Sequence, residues 1–205
     1  MKRWKKWELA LLLGLCAAML WGAWAMQRQD ALAQKMIRLH VIANSDSAAD
    51  QALKLEVRDK VLDFATAVLQ QSADMEEAQA RLQGALDRIE TVARHEIMAQ
   101  GYDYAVTAQL AKAEFPLKEY DGFSLPAGEY MALRLVIGEG AGENWWCVVY
   151  PPLCTAAVAD MPRTAIAAGL SGEDVSLITE ENAGYVLRFR SVELWERLRQ
   201  YLGKR

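Results

Sequence analysis

The chain has 205 residues, 53% of them apolar, which is enough for one ordinary domain or a domain plus an anchor and excludes disorder throughout. Lys and Arg number 23 against 27 Asp and Glu, a net charge of −4, and Lys2, Arg3, Lys5 and Lys6 all fall at the very start, so the remainder of the chain is more acidic still. An acidic chain without a basic stripe lacks the electrostatic footprint of a nucleic-acid binder, and no nucleic acid is expected as a partner.

The first element is a membrane-targeting helix. A basic stretch, MKRWKKWE, precedes Leu9–Met26, 18 residues without a charge. At a helical rise of about 1.5 Å per residue this reaches ~27 Å, just enough to span a bilayer. The positive flank stays cytoplasmic, so the rest of the chain is expected outside. Ala23-Trp24-Ala25 fits a small-x-small cleavage site, which leaves a cleaved signal peptide and a retained anchor both open. Cys16 follows the bulky Leu15, a poor lipoprotein site, and reads as a lipid-facing side chain.

Residues 27–36 read as a short polar linker. In 37–43, Ile37, Leu39 and Val41 alternate with Arg38 and His40, the period of a half-buried strand that ends at Asn44-Ser45-Asp46-Ser47. Leu53, Val57, Val61, Phe64 and Val68 recur every three to four residues, so 48–71 is an amphipathic helix capped by Asp46 or Ser47. Asp74 with Glu77 has the spacing of a capping box and opens a second helix to about Gln100. Alternating strands come next at 104–112 and 130–137, with a third apolar one at 145–150, before Pro151-Pro152 stops the sheet. Gly138–Asn144, GEGAGEN, reads as the hairpin loop between the last two strands. Residues 155–182 are weakly patterned, after which Tyr185, Leu187 and Phe189 alternate as a strand and Ser191 caps a helix with Val192, Trp195, Leu198 and Leu202 on one face.

The predicted fold class is α+β: an N-terminal signal or anchor helix, then a mainly antiparallel sheet with two long helices packed on one face, and a C-terminal strand and helix. The expected divisions are 1–26 signal peptide or anchor, 27–36 linker, 37–154 core domain, 155–183 variable loop or linker, and 184–205 C-terminal strand and helix.

Chemistry-bearing groups are sparse. His40 and His95 belong to no metal or catalytic spacing and read as structural or surface residues. Gly138, Gly140 and Gly142 lack the rest of a phosphate loop, and Glu139 and Glu143 would repel a phosphate. Asn44, Asp46 and Asp50 lack the glycine and acidic positions of a calcium loop, and a helix dipole accounts for carboxylates there. No catalytic, cofactor-binding or metal-binding residue is therefore predicted. In an exported domain Cys147 and Cys154 tend to pair, closing a short loop for roughly 2.5 kcal/mol, against the alternative of two buried thiols. Trp145 and Trp146 point to opposite faces of their strand, so either both faces are covered or one indole anchors a partner.

Three segments, IRLHVIANSDSAADQALKLEVRDKVL (37–62), LPAGEYMALRLVIGEGAGENWWCVVYPPLC (125–154) and VLRFRSVELWERL (186–198), strongly resemble the stage II sporulation protein R family of endospore-forming bacteria. The resemblance covers most of the chain after the leader and leaves out 155–182. It implies a signalling protein without a cofactor, exported from the forespore into the intermembrane space. Such proteins are required to activate a membrane-embedded aspartic protease, stage II sporulation protein GA, which cleaves pro-sigma-E in the mother cell. On that reading Asn44, Ser45, Asp46, Trp145 and Trp146 are the partner-binding candidates, the Cys147–Cys154 disulfide holds the tryptophan strand, and the N-terminal segment meets the membrane. The competing expectation is an exported enzyme, such as a thiol hydrolase acting on cell wall or protein, with Cys154 and His40 as its nucleophile and base.

Overall fold

A computed structural model describes residues 2–120, 122–154, 161–167 and 169–179. Helix α1 (Lys2–Ala33) is followed by β1 (Ile37–Ile42), α2 (Ala48–Leu69), α3 (Met75–Gln83), α4 (Leu86–Ala99) and β2 (Val106–Phe115). Next come β3 (Lys118–Tyr120), β4 (Phe123–Leu125), β5 (Gly128–Ile137), β6 (Asn144–Tyr150), α5 (Met161–Ala167) and α6 (Gly172–Ile178). The protein is α+β, as its periodicities require.

The main sheet has the order β2-β5-β1-β6, with β1 parallel to β5 and the two outer pairings antiparallel. Strand β1 lies inside the sheet and a packed layer covers each face, so its alternation sorts side chains between two cores. Ile37, Leu39 and Val41 join Val57, Val61, Leu82, Ile89 and Ile97 from the helices. On the opposite face, α1's end, the β3–β4 hairpin, α5 and α6 build a second core from Leu32, Met36, Phe115, Leu125, Tyr130, Val148 and Ile178. Arg38 points into this second core and is fully buried. Its guanidinium lies 4.1 Å from the Phe115 ring centre and 5.0 Å from that of Tyr130, and Nη2 donates to Tyr120 Oη at 2.7 Å.

Four expectations are corrected. The linker 27–36 is not a linker: α1 runs on to Ala33, because Gln27–Ala33 contains no glycine or proline, and Leu32, Ala33 and Met36 are buried in the second core. The single helix from Asp74 is two, interrupted at Gly84 and Ala85, where glycine's low helical propensity favours a break, while Leu82, Ala85 and Ile89 all stay buried. Gly138–Asn144 is not a hairpin loop, since β1 lies between β5 and β6. The described part of 155–183 is largely helical, as α5 and α6. Ser171 and Asp174 form a capping box, and Ala165, Leu170, Val175 and Ile178 are buried. The β3–β4 hairpin is an addition to the expected elements, its three-residue strands being too short for an alternation signal. The predicted C-terminal strand and helix, 184–205, lie outside the described residues.

Leu39 sits with no exposed surface between β5, β6 and the helical layer. Leu39→Ala is expected to cost about 2–5 kcal/mol in urea denaturation, whereas Met98→Ala, on the exposed side of α4, should stay within about 0.5 kcal/mol.

Candidate functional site

The site grows from one topological demand. Because β5 and β6 flank β1, the six residues between them must cross the C-terminal end of β1, a distance of roughly 10 Å at ~4.8 Å per strand spacing. The crossing loop lies directly on the turn that succeeds β1. Ala141 N–H donates to Asn44 O at 3.1 Å and Gly142 N–H to Ala43 O at 3.0 Å. Side chains complete the clasp: Asn44 Oδ1 accepts from Glu139 N–H at 3.0 Å, and Asp46 Oδ1 from Glu143 N–H at 2.7 Å.

Contact this close leaves no room for side chains at the loop's glycines. A Cβ at residue 138 would fall 2.1 Å from Asn44 Oδ1, one at 140 would fall 2.5 Å from Val136 Cγ1, and one at 142 would fall 2.3 Å from Ser45 O. Gly138 and Gly140 also adopt φ of 58° and 62°, which disfavour side chains independently. The glycines therefore serve the crossing, not a hairpin.

Helix α2 supplies the other half of the clasp. Ser47 caps it, its Oγ accepting from Asp50 N–H at 3.1 Å. Asp50, buried, accepts from Asn44 Nδ2 at 2.9 Å and Ser45 Oγ at 2.5 Å. These hydrogen bonds, Ser45 foremost, hold its carboxyl below the ordinary range. One turn on, the buried Lys54 ammonium donates to Gln51 Oε1 at 2.5 Å and Glu143 O at 2.9 Å. Burial lowers the pKa of Lys54, with Glu143 and Asp46 opposing the shift. The Asn44-Ser45-Asp46 turn thus sits at the centre of a satisfied network, with Asp46 itself exposed.

Strand β6 leaves the clasp at Asn144, so Trp145 stands beside it. The two tryptophans point to opposite faces, as their adjacency requires. Trp145 sits on the helical face, 37% exposed, with the Arg58 guanidinium 4.3 Å from its ring centre. Trp146 lies half-buried on the other face, 5.9 Å from His40 between ring centres, with Lys118 Nζ at 5.5 Å. His40 also shares a 2.8 Å hydrogen bond with Asn144 Oδ1. Burial pushes this histidine below its ordinary range against the Asn144 bond, while Arg134 and Arg38 push the same way. Cys147 and Cys154 are bonded, with Cα atoms 5.4 Å apart, and tie the middle of β6 to the chain after Pro151-Pro152. While that bond persists neither sulfur is a thiolate, and Cys16 lies in the apolar part of α1.

Asp46, bonded to the Glu143 amide, and Trp145, two residues further on with Arg58 against its ring, therefore both border the end of the crossing, while Trp146 belongs to the opposite side of the sheet. Lys54 and Arg58 join this candidate site through Glu143 O and the Trp145 ring, and neither stands out in the sequence alone. Their signal is Asp50, Lys54 and Arg58 at i, i+4, i+8 on one helical stripe, aimed at the sheet's end. Among the described residues no group of three or more His, Cys, Asp or Glu side chains is arranged to hold a metal ion.

These features define a class: an α+β domain borne on an apolar N-terminal helix, stiffened by a disulfide and a glycine crossing. The family described as stage II sporulation protein R (spore_II_R) matches residues 33–160, more than half of the chain, and the chain belongs to that family. It is similar to the stage II sporulation protein R of Bacillus subtilis (strain 168), 39% identical over 118 residues. That match covers 58% of this chain and 53% of the relative, so the chain spans about half the length of the curated relative it matches. No solved structure matches it.

Gly142→Ala, whose Cβ meets a backbone carbonyl, is expected to destabilise by about 1–3 kcal/mol, whereas Gly172→Ala, with open space around it, should not destabilise in the same melt. The lowered pKa of Asp50 means that its ionised form contributes stability above the unfolded carboxylate value of ~3.9, lost as pH falls through the folded value. Asp50→Asn should therefore be less stable than the parent at pH 7. The gap should narrow in denaturation curves taken below about pH 4; a gap independent of pH would refute the charge argument.

Proposed function

We propose that the domain is the exported signal that activates the membrane-embedded aspartic protease, stage II sporulation protein GA, so that pro-sigma-E is cleaved in the mother cell. The protein is made in the forespore and acts from the space between the two membranes. Family membership is the observation that carries this reading. An apolar N-terminal helix and a disulfide fit delivery outside the cytoplasm. The domain works by binding the active arrangement of the protease more tightly than the inactive one, since equal affinity for both would shift nothing.

The contact surface in this proposal is the rim around the crossing: Asp46 of the turn and Trp145 with Arg58 behind it. An indole that is partly exposed yet held against a guanidinium is already ordered, so little side-chain freedom remains to be lost on binding. Asn44 and Ser45 act by shaping that rim, because their polar atoms are engaged with Asp50 and the loop. Trp146 contributes from the far face by fixing the strand.

Membranes containing the protease and pro-sigma factor, supplied with this protein, test the proposal directly. Cleavage should require the protein. Trp145→Ala should raise the amount needed for half-maximal cleavage by roughly tenfold or more, as for a tryptophan hot spot, with the melting curve little changed. Cleavage that needs no added protein would overturn the activation, and an unchanged dose response for Trp145→Ala would remove this surface.

A further inference from the structure

Helix α1 does not stop where its apolar stretch stops. Leu9–Met26 carries no charge, and large side chains along it, Leu11, Leu13, Met19 and Trp21 among them, are exposed in the structure. The helix then continues unbroken to Ala33, where Leu32, Ala33 and Met36 are sealed into the second core. Its last turns are also fastened by polar contacts. Arg28 pairs with Glu173 at 2.7 Å, Lys35 with Asp174 at 2.5 Å, and the Gln29 side-chain amide donates to Ala127 O.

Distances along the helix then fix where the domain lies relative to lipid. Arg28 is ~3 Å and Leu32 ~9 Å past Met26 along the axis, at about 1.5 Å per residue. The headgroup layer of a bilayer is roughly 5–8 Å deep on each side. With Leu9–Met26 in the hydrocarbon, α6 begins at headgroup depth, because its Glu173 is tied to Arg28.

The exposed apolar side chains nearby match that position. Leu177 lies one turn from Glu173 on the same face of α6, and is 46% exposed, while Asp174, Val175 and Ile178 turn inward. Ile166, on the neighbouring α5, is 53% exposed while Ala165 beside it is buried. The acidic residues that an anionic membrane surface would repel, Glu173 and Asp174, are each paired with a basic residue, Arg28 of α1 and Lys35 just beyond it.

We propose that α1 is retained as the anchor and that the domain is seated on the bilayer through α5 and α6, with Leu177 and Ile166 entering the lipid interface. The occupant of this surface is phospholipid, brought there by the anchor itself. The proposal goes beyond protease activation and does not depend on which protein the domain signals to.

The full chain, with Cys16→Ser so that only the introduced thiol is free, carries a nitroxide at Leu177→Cys, Ile166→Cys or, as the control on the helical layer over the opposite sheet face, Met98→Cys. Each variant is reconstituted in vesicles of phosphatidylcholine and phosphatidylglycerol after its melt is shown to match the parent. Collision rates with oxygen, which concentrates in lipid, and with a water-soluble nickel chelate are compared. The expected result is an oxygen-to-nickel ratio several-fold higher at 166 and 177 than at 98. Ratios at 166 and 177 equal to that at 98 would overturn the seat. Low collision with both reagents would overturn it too, by showing that protein, such as a second copy, covers the patch.

Discussion

The placement of β1 between a parallel and an antiparallel neighbour governs most of what is distinctive in this structure. A strand so placed keeps β5 and β6 from forming a simple hairpin, so the chain between them must pass over its end. Passing over it packs the loop so closely that a side chain would meet Asn44 at 138, Val136 at 140 and the Ser45 backbone at 142, and it confronts several amides with the end of the strand. Those amides need acceptors once water is displaced, because an unpaired buried N–H costs about as much as a lost hydrogen bond. Asn44 and Asp46 supply two of them, and Asp50 and Lys54 then hold the turn and the loop in place from α2.

The same strand divides the molecule into two cores of unlike character. Its helical side is a conventional aliphatic core, whereas Arg38 carries a full charge into the other. The Phe115 ring and the Tyr120 hydroxyl compensate part of the desolvation, but Nε and Nη1 have no hydrogen-bond partner among the described residues. The tyrosines around it respond to the same low-polarity setting: burial pushes Tyr130 up to about 12, with Arg38 opposing, and its hydroxyl donates to Pro126 O at 2.7 Å. The second core therefore has less margin than the first, and the tail of α1 contributes Leu32, Ala33 and Met36 to it. The end of the apolar N-terminal helix is for that reason packed as part of the domain.

What can be read from the sequence tracks the strength of local signals. Ile37, Leu39 and Val41 alternate cleanly, and Val57, Val61 and Phe64 keep a helical period, so β1 and α2 are legible to within a residue or two. Pairing order is a different kind of information. GEGAGEN between two apolar strands has the composition of a hairpin, and only the non-local choice of β1 as the neighbour of both strands makes it a crossing. Residues 27–36 are polar enough to read as linker, yet the helical propensity of 27–33 and the three apolar anchors Leu32, Ala33 and Met36 decide otherwise. At the site, the Asn44-Ser45-Asp46 turn and the Trp145-Trp146 pair stand out in the sequence, but which indole is exposed depends on what covers each face of the sheet. Arg58 does not stand out, because a lone arginine on a helix acquires its role only once β6 brings an indole beneath it.

The proposed activation calls for a surface that keeps one shape while its partner changes, since only a difference in affinity between the partner's states can shift their balance. The rim around the crossing has the construction for that. Its backbone is fixed by hydrogen bonds between turn and loop, its indole by Arg58, and its strand by the disulfide at Cys147, midway along β6. Each restraint acts on a different link, so loosening one leaves the others to hold the geometry. Trp145 presents a broad apolar face with little freedom left to lose, and Asp46 keeps one carboxylate oxygen in the clasp while the side chain stays open to solvent. Rigidity here is a consequence of topology: the chain could not connect β5 to β6 over β1 without building it.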